Sequence, residues 1–240
     1  AVVTGLRLRT QPVQPLQLRR GLVVPSQLPE LLRIAEQWPD TATASDARFR
    51  RAYCLEEMGL HKESIQAVKG LQSEGRWSVD DTRTMNLQRG ITEIRAGRDR
   101  KGIRRILKNL SNGQDDRTWI RAKARLALVR AQVDAAEQIV LKGDKKAARR
   151  LKQRASLISA AEKQAIVMFN LGEPEFALEG LMLLGDAYLE LYEEMLSYPP
   201  PRSIDPENHE VYRQAVREKA LILRAKAHAR YDEGVRVAAR

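Results

Sequence analysis

Three histidines, one cysteine and a set of closely spaced acids are the residues of this chain whose types suit chemistry. A helix presents two imidazoles to one metal ion when they stand three or four positions apart. His61, His209 and His228 offer no such pair, and no HExxH occurs. Cys54 sits inside a helical pattern between Tyr53 and Leu55, a place that reads as packing rather than as a nucleophile. A single cysteine also leaves no intramolecular disulfide framework and no cysteine-based metal cluster. Asp186, Glu190, Glu193 and Glu194 share one helix face. A general acid–base pair needs two carboxyls in contrasting environments, so the simpler reading is a solvated or partner-facing stripe. No nucleophile elbow, phosphate-binding loop or dinucleotide fingerprint is present. The residues point away from an enzyme, and no catalytic, cofactor-binding or metal-binding residue is assigned.

The basic residues are the feature that bears most on functional class. "RAGRDRKGIRRILK" gathers seven Arg and Lys around a turn, Arg104 and Arg105 among them, and "KGDKKAARRLKQR" repeats the theme. At 100° per residue, Lys145, Lys146, Arg149, Arg150 and Lys152 fall on one side of a helix. Ala147, Ala148, Leu151, Ala155 and Ile158 fall on the other. The charged face is then solvated, or meets an acidic protein or the acidic surface of another copy, or binds nucleic acid or anionic lipid. Trp119 is the only aromatic within 83–154, which disfavours base stacking. Phosphate contacts to a duplex need no aromatic and stay open.

Charge is segregated along the 240 residues. The net charge is +4 over 1–29, −3 over 30–82, +14 over 83–154, −9 over 155–210 and +5 over 211–240. The chain is 43% hydrophobic and 30% charged, which fits an ordered, water-facing protein. No apolar run approaches the roughly 20 residues of a membrane span. Aromatics are only 5% while Ala, Leu, Arg and Glu dominate, so helix is favoured over sheet. The sequence starts at Ala1 without a charged-then-apolar leader; any targeting signal is expected outside it.

The elements that must position these residues read as follows. "GLRLRT" alternates like a short strand, and Pro12, Pro15, Pro25 and Pro29 break the stretch after it. Residues 1–29 therefore read as an extended basic arm, packed along the body, reaching a partner or disordered. From Pro29 the period is helical, with Leu31, Leu32, Ile34 and Ala35 on a stripe that stops at Trp38-Pro39. In "TATASDARFRRAYCLEEMG" Ser45 and Asp46 are N-cap candidates for a helix that ends at Gly59. "KESIQAVKGLQSEG" runs back as a second helix ending near Gly70 to Gly75. Four glycines then share a register: Gly59 with Ser64, Gly97 with Gly102, Gly143 with Ala148, and Gly172 with Ala177, each five residues on. Each glycine ends a helix, and the small residue lies early in the next, where two helices cross closely. The glycine spacings of 38, 46 and 29 residues are irregular for a repeat.

"RFRRAYCLEEMGLHKESIQAVKGL" and "AIVMFNLGEPEFALEGLMLL" resemble tetratricopeptide repeats. Ala52, Gly59, Ser64 and Val68 occupy the family's small and apolar positions in the first; Gly172, Ala177 and Leu181 do so in the second. "LKGDKKAARRL" and "IRAGRDRKGIRRIL" carry two further turns, while the family's Trp and repeat-ending Pro are absent or misplaced. The resemblance implies an all-α solenoid of helical hairpins over 30–197, with a Pro-rich loop and a long C-terminal helix at 198–240 packed on it. It also implies a partner-binding groove along the first helices, at Tyr53, Glu56, Arg95, Arg130 and Asn170. The C-terminal part resembles tetratricopeptide proteins from the cell envelope of gliding, predatory and related bacteria. The matching positions are Tyr212, Arg213, Ala215, Lys219, Ala220, Lys226, Ala227 and Tyr231. That implies a scaffold subunit of an envelope or motility complex, periplasmic or envelope-associated, with a cytoplasmic place as the alternative. Its partners would be other protein subunits in a homo- or hetero-oligomer. The rival expectation is a nucleic-acid-binding helical repeat that uses the basic surface of 83–154.

Overall fold

The computed structural model describes residues 26, 28–39, 41–75, 77–110, 117–141, 146–201 and 204–239. The "GLRLRT" stretch, the arm up to residue 25, Gly143 and Lys145 lie outside the described residues. Among those described the fold is all-helical, with no strand. The helices are α1 (Leu28–Gln37), α2 (Ala42–Glu57), α3 (His61–Ser73), α4 (Val79–Arg95), α5 (Asp99–Leu110), α6 (Thr118–Glu137), α7 (Ala147–Phe169), α8 (Pro174–Ser197) and α9 (His209–Ala238). The chain divides into two compact units, and the division falls inside α5, between Arg105 and Ile106.

In the first unit α1 packs on α2, α2 on α3, and α3 on α4, while α2 also reaches α4. Pro29 stands in the first turn of α1, where a missing N–H removes no intrahelical bond. The cap of α2 is Thr41, whose hydroxyl accepts from the Ala44 N–H at 3.1 Å, so Ser45 and Asp46 lie inside the helix and not at its start. Ser45 is itself buried. Helix α2 ends in a Schellman motif. The Gly59 N–H donates to the Glu56 carbonyl at 3.0 Å and the Leu60 N–H to Leu55 at 2.8 Å. Helix α4 ends the same way, Gly97 donating to Ile94 at 2.8 Å and Arg98 to Glu93 at 2.9 Å. Gly59 at φ 76° and Gly97 at φ 71° hold the left-handed conformation this motif needs.

The small residues of the register sit at helix crossings in this unit. Ser64 is fully buried and its hydroxyl donates to the Ala52 carbonyl at 2.7 Å. At Gly102 a Cβ would stand 2.6 Å from the Gly90 carbonyl oxygen, so α4 and α5 touch backbone to backbone. Phe49, Ile65, Val68, Met85 and Ile91 are buried hydrophobic residues of this unit.

In the second unit α6 packs on α7 and on α8, α7 on α8, and α8 on α9. One apolar cluster joins Leu126 and Val129 of α6, Ile158 and Met168 of α7, Leu184 and Leu191 of α8, and Ala227 of α9. The third register position departs from expectation, because Ala148 is exposed at the start of α7. The fourth holds: Gly172 is left-handed at φ 72° and Ala177 is buried. Helix α8 stops at Ser197, before the proline run. The chain then re-enters helix through a 3-10 turn at Pro206–Asn208, with Pro206 in its first turn. The Asp205 side chain makes no cap bond there.

Helix α9 shows why the C-terminal spacing matters structurally. Its buried residues, Ala220, Ala227 and Gly234, recur every seven positions and form a seam of small side chains. Gly185 of α8 makes room for the Tyr231 ring of α9, which a Cβ there would overlap. Gly234 of α9 in turn lies against Leu178 and Met182 of α8.

Candidate functional site

The residues expected on a single groove fall into different surroundings. In the first unit Glu56 is wholly buried (0% exposed), contrary to its expected place on an open wall. Its carboxylate meets the Arg95 guanidinium at 2.7 Å and accepts from the Gln88 amide at 3.0 Å. Gln88, Thr92 and Ser64, all buried, continue this polar seam at longer range, with contacts of 3.4 Å. Arg95 also meets Glu57 at 3.0 Å and is a quarter exposed. Burial works against its charge, but Glu56, Glu57 and Tyr53 together outweigh it and hold the guanidinium pKa above its ordinary value. Tyr53 is half-buried. Here the polar groups of α2 and α4 are used on one another, which fixes how the two helices stack. In the second unit Arg130 is taken up by an ion pair with Glu179. Asn170 is exposed and closes α7 with its backbone N–H on Ile166 at 3.3 Å.

The basic surface is likewise split. Arg105 is tied to Glu93 at 2.9 Å, and the Glu93 carboxylate is also shared with Arg89 at 3.3 Å and Lys101 at 3.7 Å. Arg100 and Arg104 are exposed and have no hydrogen-bond or ion-pair partner among the described residues. On α7 Lys146 and Arg149 are exposed and Arg150 half-buried. The inner face of α7 keeps Ile158 and the partly buried Leu151 that the helical wheel selects, but not all of its alanines. Ala148 and Ala155 are exposed, while Arg154, Ile158, Ala161, Ala165 and Met168 are buried. The wheel weights hydrophobicity alone, and a guanidinium with two carboxylates in reach can take a buried position instead.

Those carboxylates build an open groove of about 460 Å³ in the second unit, lined by Glu137 at the end of α6, Val140 after it, Arg154 of α7, and Glu190, Glu193, Glu194 and Ser197 of α8. Arg154, 4% exposed, pairs with Glu194 and lies 3.6 Å from Glu190. The second Glu194 oxygen accepts from the Leu141 N–H at 2.9 Å. Four carboxylates thus face one guanidinium, a formal surplus of three negative charges. Burial, with Glu190 and Asp134 nearby, pushes the Glu137 carboxyl above its usual range although Arg154 pulls the other way. The acidic face of α8 was legible in the sequence. Glu137 and Arg154 were missed, because they join it only through the packing of three helices. Among the described residues no group of His, Cys, Asp and Glu is arranged to hold a metal, and no helix is long and apolar enough to cross a membrane. Cys54 is buried against α1 with Leu31, Ala35 and Ala47.

Beside the groove, α9 is fastened by polar contacts. The Lys226 ammonium lies 3.3 Å from Glu162 and 3.2 Å from the Tyr188 hydroxyl. Tyr231 donates to Asp186 at 2.7 Å. Burial first, then Asp186, Glu190 and Glu193, push the Tyr231 phenol up to about 12. The folded chain therefore holds this proton more tightly than the unfolded chain, whose phenol titrates near 10. The stability from this group is complete below pH about 10 and is lost as pH rises through about 12. Urea unfolding at stepped pH should show a steeper alkaline fall for the wild type than for Tyr231→Phe. Parallel curves would refute the assignment.

No protein-family model, curated protein or solved structure matches the chain.

Proposed function

We propose that the chain is a non-enzymatic helical-repeat scaffold that binds protein partners. The observation that carries this reading is the stacking rule shared by both units. In each unit one helix packs on the next and on the next but one, α2 on α3 and α4, α6 on α7 and α8. In the first unit this goes with left-handed glycines at the turns and small residues at the crossings. That is how a solenoid of hairpins is built, each hairpin covering the next. Such a wall carries surfaces rather than deep pockets, and here the surfaces are an acidic groove and exposed arginines without a partner among the described residues. The C-terminal spacing of Lys226, Ala227 and Tyr231 supports a place in a bacterial envelope or motility assembly.

Crosslinking and affinity capture of the native protein, coupled to mass spectrometry, tests the reading. Protein subunits should be recovered, with crosslinks concentrated on α5 and around the groove. Recovery of nucleic acid alone would overturn it. Fractionation tests the envelope assignment, and a purely cytoplasmic protein would refute that part.

The exposed Lys146 and Arg149 at the start of α7 favour a second reading, a polyanion surface for nucleic acid. That binding would fall with salt on a log–log plot with a slope of roughly −0.9 per duplex phosphate neutralised. Reversing Lys146, Arg149 and Arg150 to Glu would abolish it and leave protein assembly intact. If the same variants lose protein capture instead, the nucleic-acid reading fails.

A further inference from the structure

We propose that this scaffold binds a second copy of itself, the Arg100 and Arg104 face of one copy docking in the acidic groove of another. The inference rests on the scaffold reading and names one of its partners. The two surfaces are complementary in sign and each is unbalanced alone. Arg100 and Arg104 stand four residues apart on α5, so they project to similar sides, about 6 Å apart along the axis. Neither has a partner among the described residues. In the groove, Glu190 and Glu193 stand one turn apart on α8 and are exposed, and the four carboxylates there share the single Arg154. Two guanidiniums one turn apart facing two carboxylates one turn apart match forked donors to paired acceptors.

The groove holds a further unmet group. The Nε of Arg154, a side chain 5% exposed, has no hydrogen-bond partner among the described residues. It is enclosed by the protein, so the unmet charge of the groove lies on its exposed carboxylates. Burial raises Glu137 first, and an incoming cation would offset the further push from Glu190 and Asp134. Nucleic acid would answer the arginines alone, whereas a second copy satisfies both surfaces. Because the two patches differ, the contact is heterologous: a docked pair still offers one free surface of each kind, so assembly continues until a ring closes or a filament grows.

Sedimentation velocity tests this on the full chain. In about 0.01 M salt, where the Debye length is about 30 Å, the wild type should associate with concentration; at about 1 M, where it is about 3 Å, it should dissociate. Arg100→Glu with Arg104→Glu, and separately Glu190→Gln with Glu193→Arg, should each weaken self-association by roughly tenfold or more. The decisive arm mixes the two variants. Each retains the surface the other lacks, so the mixture should form a one-to-one complex and stop there. A wild type monomeric at low salt, or variants that stay apart when mixed, would overturn the proposal. So would nuclease treatment that dissolves the wild-type assemblies, which would assign α5 to nucleic acid. Circular dichroism checks folding, and Gln in place of the reversed residues gives the same readout if a reversal unfolds the chain. A monomer that still crosslinks to other proteins sinks this inference and leaves the scaffold reading standing.

Discussion

Gly102→Val should lower the unfolding free energy by about 3 kcal/mol, while Gly70→Ala, in the preceding hairpin, should raise it by about 0.5–1 kcal/mol. Both glycines lie inside helices, where alanine is intrinsically favoured by up to about 1 kcal/mol. They differ in what a side chain would meet. A Cβ at Gly70 has nothing within 4 Å, so only the backbone-entropy gain remains. A Cβ at Gly102 would stand 2.6 Å from the Gly90 carbonyl oxygen, 2.6 Å from Ile94 Cγ1 and 2.9 Å from the Ile94 nitrogen. Two of those atoms are backbone, so no rotamer change relieves the overlap, and α4 must move away from α5. Helix α4 is buried on most sides, from Asp81 and Thr84 through Met85, Leu87 and Ile91 to Ile94, so a shift disturbs its other contacts too. Valine adds two methyl groups and loses helix propensity. Alanine at 102 sets the propensity gain against the overlap and should still destabilise by about 1–2 kcal/mol. Urea midpoints at constant slope measure the series. A Gly102→Ala protein as stable as the wild type would show that α4 and α5 do not meet at this glycine.

The same comparison shows what the sequence made legible. Turn glycines and small crossing residues are local signals. Gly59, Gly97 and Gly172 take the conformation their register predicts, and Ser64, Gly102 and Ala177 lie buried after them. Helix α9 was legible for a related reason, since proline stops and starts helices by its own covalent geometry. Legibility ended where a side chain's position depends on partners far along the chain. Arg154 belongs to a basic run and reads as solvated, but carboxylates 36 and 40 residues later draw it into the interior. Ala155 beside it reads as core and is exposed. Glu56 reads as a groove residue, and the buried amide and guanidinium of α4 explain why it is not. For Arg154 and Glu56 a charge was sorted by its own polarity, although burial is decided by whether a counter-charge is waiting. The division inside α5 left no compositional mark, because a continuous helix carries no proline, glycine pair or linker there.

Glu56→Ala should cost about 2–4 kcal/mol and should act on the first unit alone. The carboxylate has no exposed surface, so its removal cannot be made good by water without opening the α2–α4 contact. Gln88, also buried, loses the acceptor it reaches at 3.0 Å and keeps only Thr92 at 3.4 Å. An abandoned buried amide costs about 1–3 kcal/mol. Arg95 loses its 2.7 Å partner as well. A fully buried ion left alone would cost about 3–5 kcal/mol, but Arg95 is a quarter exposed and keeps Glu57 at 3.0 Å, so its share is smaller. Glu57→Ala is the control: that carboxylate is partly solvated, and its loss should cost under about 0.5 kcal/mol. Glu56→Gln keeps an acceptor for Gln88 while removing the charge, and should fall between the two. Hydrogen exchange read by mass spectrometry separates this from a general loss of stability. Amides of α2 to α4 should exchange faster in Glu56→Ala, while those of α6 to α9 keep their protection. Equal losses in both units would show that the polar seam does more than stack α2 on α4. Equal effects of Glu56→Ala and Glu57→Ala would show that the buried carboxylate is dispensable to that stack.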